Sequence, residues 1–271
     1  MSDPVQPTVL VDHFRAAAQR AADGNAYQGL QVHALAGLHP YLAGQVQRWF
    51  QPGARLIDLA AGSGAMCRRL ADLGYRPTGV DYVGENFRPR DIPFRQCDLN
   101  QDFAPAFAGE GIAAILASEI IEHLENPRHF ARQCHALLPP GGRLILTTPN
   151  VDSPASVMVY ARTGMHLWFN DVEYRNQGHI SPLSQWQIGK AFGEAGFRTL
   201  WQGSFGAGHS LVEGSRLKRT LARAFARFSR LPADLRGEIY VAVFERPAAP
   251  DAPISPPDAA AAAAPSAAPR T

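Results

Sequence analysis

A dense group of ionisable side chains stands in the stretch SEIIEHLENP, residues 118–127. Glu119, Glu122 and His123 fall within five positions, directly after the apolar run GIAAILA. On one helical turn, their i, i+3, i+4 spacing would place all three on a common face. Two carboxylates and an imidazole suit Mg²⁺, Mn²⁺ or Zn²⁺, and histidine is also a common general base. The stretch therefore indicates a metal site, a catalytic base, or only the polar start of a helix.

Alternating strands and helices should position this group. The runs ARLIDLA, RPTGVDY, IPFRQCDL, GIAAILAS and RLILTTPN indicate five buried strands, and RTLWQG and GEIYVAVFER indicate two more. Helical patterns separate them, such as MCRRLADLGY, which ends at Gly74, and a later helix with Ser181 or Ser184 as its cap. Continuous apolar strands between helices predict an α/β fold, with a mostly parallel sheet and helices on both faces.

The 271 residues fit one large domain over 1–246 and a short tail. Within the domain, residues 1–50 are predicted to be a helical extension and 205–236 a helical insert. Almost only Ala and Pro follow Pro247, which predicts a disordered or polyproline-like tail over 247–271.

Composition argues against several classes of protein. The three cysteines are widely spaced, the N-terminus lacks the features of a signal peptide, and no apolar run approaches the ~20 residues that span a bilayer. We therefore expect a soluble cytoplasmic protein. A net charge of +2 gives no strong argument for nucleic-acid binding.

The loop after the first strand is a candidate ligand site, because ligands of such sheets bind at the carboxyl ends of the strands. Its sequence, DLAAGSGAM, places Gly62 and Gly64 where glycine permits close approach of a ligand. Asp58 would repel a pyrophosphate but would stabilise the ammonium and sulfonium groups of S-adenosylmethionine. Cys67 also replaces the third glycine of GxGxxG. The loop therefore favours S-adenosylmethionine over a dinucleotide.

Two further acids end the next two strands. Asp81, in TGVDY, could accept hydrogen bonds from both ribose hydroxyls, and Asp98, in CDL, could accept from the adenine amino group with Leu99 against the ring. Each acid alone could be an ordinary strand-end residue, but three at successive strand ends beside a glycine loop indicate a cofactor site. The expected cofactor-binding set is Asp58, Ala60, Gly62, Gly64, Asp81, Tyr82, Asp98, Leu99 and Ser118.

The segments LIDLAAGSG, TGVDY, CDL, ASEIIEHLENP and LLPPGGRLILTTPN together resemble the ordered motifs of class I S-adenosylmethionine-dependent methyltransferases. The resemblance covers about residues 45–200 and implies a Rossmann-like seven-stranded sheet of order 3-2-1-4-5-7-6, with the seventh strand antiparallel. One departure is Ala60, where the family usually has glycine. A methyl group is tolerable there if the φ angle of Ala60 is negative.

The ExxEH pattern resembles that of ubiquinone-biosynthetic O-methyltransferases and of small-RNA 2′-O-methyltransferases, where it implies a metal bound with a distant second histidine. His179, in NQGHISP, is the candidate for that histidine, so the metal ligands would be Glu119, Glu122, His123 and His179. Similar sequences in metal-free relatives leave two other roles open for the histidines. They could serve as a catalytic base or polar group, or they could be structural residues. Either a cation or a histidine base would help to remove a hydroxyl proton, which favours O-methylation over C-methylation and leaves N-methylation open.

Residues 150–180 are too long for a simple connection and are predicted to form a lid or substrate wall. Tyr160, Trp168, Phe169 and Tyr174 could line an aromatic or sugar pocket, or could pack on the domain. The layout PN…GH in this segment also weakly resembles bacterial glycan methyltransferases.

The stretch SRLKRTLARAFARFSRL predicts a basic amphipathic helix over 214–231. It could contact an anionic membrane or an acidic partner, or it could pack on its own domain with solvated arginines. Its apolar side would carry Leu217, Leu221, Phe225 and Phe228, and its basic side Arg216, Arg219, Arg223, Arg227 and Arg230.

These observations predict an S-adenosylmethionine-dependent methyltransferase that acts on a hydroxyl of a small molecule, a quinone-type phenol or a glycan. One alternative is a nicotinamide-dependent oxidoreductase, which Asp58 and the missing third glycine oppose. Another is a non-catalytic S-adenosylmethionine-binding module, which the polar set around His123 makes less attractive.

Overall fold

The computed structural model describes residues 25–206 and 216–248. The first 24 residues of the expected helical extension, residues 207–215 of the insert and the tail over 249–271 lie outside the described part.

Seven strands form the central sheet. Their order is β5-β4-β3-β6-β7-β9-β8, and β9 runs antiparallel to both of its neighbours. Counted from the first strand of this sheet, the order is 3-2-1-4-5-7-6, which confirms the fold class that the motifs implied. The strands are β3 (Arg55–Leu59), β4 (Arg76–Asp81), β5 (Phe94–Gln96), β6 (Ala114–Ser118), β7 (Arg143–Pro149), β8 (Arg198–Phe205) and β9 (Ile239–Glu245).

Seven α-helices accompany the sheet in the described part of the chain. Ser184 caps one of them through a capping box with Gln187, while the Ser181 hydroxyl donates to the carbonyl of Leu124, 2.7 Å away. The helices are α1 (Leu38–Trp49), α2 (Ala65–Asp72), α3 (Pro127–Leu137), α4 (Pro154–Thr163), α5 (Asp171–Gln177), α6 (Gln185–Glu194) and α7 (Arg216–Phe228).

The core lies on both faces of the sheet, because successive strand residues point to opposite sides. On one face, Ile57 of β3 belongs to a buried cluster with Phe130 of α3 and Phe192 of α6. On the other face, Leu56 packs in a second cluster, which Leu42 of α1 joins. Burying each such side chain stabilises the fold by about 1.5–3 kcal/mol, so the sheet is a rigid base for the loops at its edges.

Two expectations about local structure are wrong. Part of the segment expected to be helical forms a two-stranded hairpin, β1 (Ala26–Tyr27) and β2 (Leu30–Gln31), before α1. The third strand of the sheet ends at Gln96, so Asp98 lies in the following turn rather than at the strand end.

Residues 150–180 contain the short helices α4 and α5. No helix among the described residues combines the length and apolarity needed to cross a bilayer. Cys67, Cys97 and Cys134 are all free thiols.

Candidate functional site

The glycine loop leaves β3 and enters α2 in an unusual backbone conformation. The φ angles of Ala60, Gly62 and Gly64 are 64°, 52° and 84°. A negative φ at Ala60 was the condition for tolerating its methyl group. That condition is not met, and Ala60 holds a left-handed conformation that costs about 1–2 kcal/mol. A Cβ atom on Gly64 would lie only 2.8 Å from the ring of Phe87, so close packing requires glycine there.

Asp58 lies beneath the loop and is 2% exposed. The thiol of Cys67 on α2 donates to its carboxylate, with 3.2 Å between sulfur and oxygen. The pKa of Asp58 is raised to about 7, mainly by burial; the hydrogen bond from the Cys67 thiol opposes the rise, and the charge of Asp81 contributes to it. A cation near Asp58 would relieve the cost of ionising this buried carboxyl.

Asp81, at the end of β4, holds its carboxylate in a fixed orientation. The amide of Gly62 donates to Oδ2 at 2.8 Å, and the amide of Val83 donates to Oδ1 at 2.9 Å. Because a carboxylate can accept about four hydrogen bonds, each oxygen keeps accepting capacity for a ligand hydroxyl. Burial raises the pKa of Asp81, and the backbone donors oppose that rise.

The remaining cofactor candidates occupy different environments. Asp98 accepts from the amide of Asn100 at 2.9 Å and so fixes the turn after β5. Leu99 is buried in the core cluster that contains Ile57. The carbonyl of Tyr82 accepts from the side chain of Gln96, and Ser118 shares a hydrogen bond with the hydroxyl of Thr147.

The hairpin brings a residue to this loop that the sequence analysis missed. The hydroxyl of Ser63 donates to the carbonyl of Gln31 in β2, so the hairpin lies against the glycine loop. His33 lies two residues after Gln31, and its ring is 3.7 Å from the place that a Cβ atom on Gly62 would take. Burial lowers the pKa of His33, while the nearby carboxylate of Asp81 opposes that change. A lone histidine in a segment that looked helical carries no sequence signal of this contact.

The ExxEH stretch begins where β6 ends. Glu119 has a φ angle of 52°, and a 3₁₀ helix follows over Ile121–His123. The expected helical turn with all three ionisable residues on one face is therefore wrong, because the chain turns sharply at Glu119. The amide of Glu119 donates to the carbonyl of Thr147 on β7, which ties this turn to the sheet.

Glu122, His123 and His179 each offer one ligand atom, and these three atoms lie within 4.8 Å of one another. Glu122 is fully buried, and its Oε2 accepts from the hydroxyl of Thr148 at 2.9 Å. Its Oε1 has no hydrogen-bond partner among the described residues and lies 3.9 Å from Nε2 of His123. Glu119 does not belong to this group of ligand atoms.

Backbone carbonyls orient the rings of both histidines. Nδ1 of His123 lies 3.2 Å from the carbonyl of Gly178, and Nδ1 of His179 lies 2.7 Å from the carbonyl of Trp168. A carbonyl only accepts, so Nδ1 of His179 carries the proton, whereas the ring of His123 also interacts with the backbone of Glu119. A histidine that binds a metal has the same second hydrogen bond in most known sites.

The electrostatics of the cluster favour neutral side chains. The pKa of His123 is lowered to about 3, mainly by burial and in smaller part by the neighbouring His179. Burial also raises the pKa of Glu122 well above its usual range, with Glu119 adding to the rise. Both effects arise because a buried charge without a counter-charge is unfavourable.

A second buried glutamate, Glu238, interacts with Glu119 beside this cluster. Burial raises the pKa of Glu119 to about 7, the Thr147 hydroxyl opposes this rise, and the charge of Glu238 adds to it. Glu238 could have been recognised from the sequence, because this residue directly precedes β9. The start of an antiparallel last strand lies at the edge where the parallel strands end.

The aromatic residues of the segment 150–180 divide into two groups. The ring of Phe169 lies 5.4 Å from that of His179, and the carbonyl of Trp168 holds the same histidine. Tyr160 and Tyr174 are exposed instead, and Tyr160 stacks on His166 at 4.4 Å. Trp168 and Phe169 therefore border the cluster, whereas the two tyrosines do not enter the core.

Comparison with known proteins identifies the family. A family model described as a methyltransferase domain matches residues 29–202. The ubiquinone biosynthesis O-methyltransferase of Caulobacter sp. (strain K31) is 32% identical over 105 residues, which cover 36% of this chain and 42% of that protein. The mitochondrial ubiquinone biosynthesis O-methyltransferase of Rattus norvegicus is 31% identical over 110 residues, covering 36% and 31%. The chain thus matches less than half the length of these relatives.

Solved structures agree with the fold. An S-adenosylmethionine-dependent methyltransferase from Archaeoglobus fulgidus aligns with a TM-score of 0.55 at 15% identity, over 76% of this chain and 94% of its own. Another from Anabaena variabilis ATCC 29413 aligns with a TM-score of 0.58 at 16% identity, over 87% and 92%. At such identities the likeness shows the fold alone. Because the family model spans more than half of the chain, the protein belongs to the methyltransferase domain family.

Proposed function

We propose that the protein transfers the methyl group of S-adenosylmethionine to a hydroxyl oxygen, with a quinone-type phenol as the first acceptor to test and other small-molecule or glycan hydroxyls as the next. The cluster of Glu122, His123 and His179 carries this proposal. An oxygen acceptor has to lose a proton during transfer, and this cluster can hold either a cation or a proton at the carboxyl edge of the sheet. The ubiquinone O-methyltransferase relatives support a phenolic acceptor.

The cofactor is assigned to the loop between β3 and α2. In this proposal Gly62 and Gly64 allow close approach of the cofactor, Asp81 accepts from the ribose hydroxyls, and Asp58 balances the positive methionine end. His33 would close the site from the hairpin side. Methyl transfer from an activated sulfonium needs mainly in-line positioning and exclusion of water, which such a loop and cover can supply.

A divalent cation fits the donor set of the cluster. One ring nitrogen of His123, one of His179 and a carboxylate oxygen of Glu122 would hold it, and the buried Oε1 of Glu122 has no hydrogen-bond partner in the described structure. Two imidazoles and one carboxylate suit Zn²⁺ or Mn²⁺ better than Mg²⁺, which prefers oxygen ligands. When bound, the cation would lower the pKa of the acceptor hydroxyl.

A metal-free histidine base is the weaker alternative. The pKa of about 3 at His123 means that its imidazole holds a proton poorly at neutral pH, and an efficient general base has a pKa near the working pH. The low affinity for protons is no obstacle to binding a metal, because a metal requires the neutral ring.

The experiment is calorimetric titration with S-adenosylhomocysteine, together with elemental analysis after loading with Zn²⁺ or Mn²⁺ and desalting. We expect product binding, about one metal equivalent in the parent, and loss of metal in His179→Ala. His129→Ala, at a partly exposed histidine on α3, is the control and should keep its metal. Absence of product binding would contradict the transferase assignment, whereas product binding with no metal in the parent would contradict only the cation.

A further inference from the structure

Helix α7 presents apolar side chains to solvent. Leu221, Phe225 and Phe228 are 52%, 37% and 84% exposed. Their i, i+4, i+7 spacing places them on one face of the helix. The side chains of residues 216–219, 222 and 223, among them the predicted Leu217, Arg216, Arg219 and Arg223, lie outside the described part. The described portion of the apolar side thus faces water and is not packed on the domain.

The same helix is strongly basic. Residues 216–230 carry six basic residues and no acidic one. Arg227 and Arg230 are exposed, and neither forms an ion pair with an acid in the part of the chain that the structure describes. Uncompensated positive charge beside an apolar face is the pattern of helices that lie in the interface of anionic membranes.

The position of α7 links this surface to the candidate site. The helix packs against α4, which follows β7 closely and so starts at the edge of the sheet where Glu122 and His179 lie. On this neighbouring segment, Tyr160 and Met165 are also exposed. Exposed apolar side chains therefore lie both on α7 and on the segment against which it packs.

We propose that the α7 surface, defined by Leu221, Phe225, Phe228, Arg227 and Arg230, docks on bilayers that contain anionic phospholipid. The phenyl and leucyl groups would enter the boundary between headgroups and acyl chains, and the arginines would contact the headgroup phosphates. A second copy of this chain fits poorly, because it would bring six further positive charges against the first six. An acidic protein would match the charge but would leave the exposed Phe228 unexplained.

Docking at this place would turn the edge that carries the cluster toward the membrane. An amphiphilic acceptor could then reach the site directly from the bilayer. This consequence rests on the proposed oxygen methylation, whereas the docking itself does not.

The test is co-sedimentation of the full chain with phosphatidylcholine vesicles, with and without phosphatidylglycerol. We expect at least about tenfold stronger partition onto the anionic vesicles, and weaker partition in high salt. A double variant, Phe225→Ser with Phe228→Ser, should lose about tenfold or more of this partition. The charge reversals Arg227→Glu and Arg230→Glu together should lose a similar factor, since one cation near such a surface is worth about fivefold.

Two control variants lie elsewhere on the molecule. Leu73→Ser changes an exposed leucine after α2, at the edge where the parallel strands begin, and Arg132→Glu reverses an exposed charge on α3. Both should partition like the parent. Calorimetric binding of S-adenosylhomocysteine, unchanged in all variants, would show that each is folded.

Four results would overturn the proposal. In the first, the protein partitions equally onto vesicles with and without anionic lipid. In the second, the α7 variants bind vesicles like the parent. In the third, the control variants lose as much partition as the α7 variants. In the fourth result, the protein does not bind vesicles. Instead it forms a dimer that Phe228→Ser dissociates, or it binds polyglutamate in a salt-sensitive manner. The fourth result would assign the surface to a second copy or to an acidic partner.

Discussion

Individual residues of the site depend on a few backbone contacts. The carbonyls of Gly178 and Trp168 orient the rings of His123 and His179, and the hydroxyl of Thr148 holds Glu122. These partners were not visible in the sequence, because they come from the segment 150–180 and from β7. The ExxEH pattern provided the candidate residues, but the sharp turn at Glu119 decides which of them meet.

Replacing Ala60 with glycine should stabilise the fold. The φ angle of 64° costs alanine about 1–2 kcal/mol, and glycine avoids this but loses about 0.5–1 kcal/mol through the unfolded chain. We expect Ala60→Gly to raise the free energy of unfolding by about 0.5–1 kcal/mol in urea titrations. Ala61→Gly, at the next residue, which has no positive φ, should lower it. Equal destabilisation by both variants would contradict the described loop.

Asp58 should make stability depend on pH. Its pKa of about 7 in the folded protein lies above the ~3.9 of an unfolded aspartate, so its contribution is complete below pH ~4 and is lost as pH rises through about 7. Asp58→Asn should therefore gain stability relative to the parent between pH 4 and 8. The measurement is urea unfolding at several pH values, with the exposed Asp102→Asn as control. A constant difference between Asp58→Asn and the parent would refute the raised pKa.

At the scale of elements, the hairpin β1–β2 adds a cover and a further residue to the candidate cofactor site. It rests on the glycine loop through Ser63 and Gln31, and it brings His33 toward Asp81. We expect His33→Ala to weaken S-adenosylhomocysteine binding by about fivefold, the worth of one net hydrogen bond. Tyr27→Phe removes only a bond from the hairpin to Asp72 and should bind normally. Calorimetry in which both variants bind like the parent would rule out a role for His33.

How far the sequence predicted each element follows from the range of the interactions. Continuous apolar runs specified the strands, and the capping residues Ser184 and Gln187 specified the start of α6, because these signals are local. The prediction of a helix over 26–31 failed because the two short strands there gain their stability from contact with the distant glycine loop. The positive φ angles at Ala60 and Glu119 could not be predicted for a related reason, since neither residue type favours that conformation by itself.

At the scale of the whole molecule, the sheet topology brings the two halves of the candidate site together. The carboxyl ends of β3, β4, β6 and β7 and the start of β9 lie at one edge, so the glycine loop and the Glu122 cluster become neighbours. The strand order was available from the motif resemblance, and this edge could be predicted from it. The exposed face of α7 could not, because a basic amphipathic sequence is equally compatible with packing on the domain.

The most direct measurement is transfer of labelled methyl from S-adenosylmethionine to a dihydroxybenzoate probe, with Zn²⁺ or Mn²⁺ present and the product oxygen identified by mass spectrometry. We predict methylation of a phenolic oxygen by the parent and by Glu125→Gln, an exposed glutamate of the same stretch. Glu122→Gln should lose about 100-fold or more in rate while it still binds S-adenosylhomocysteine. A parent that binds the product but methylates no phenol, catechol or sugar hydroxyl, or a Glu122→Gln variant with the full rate, would contradict the account.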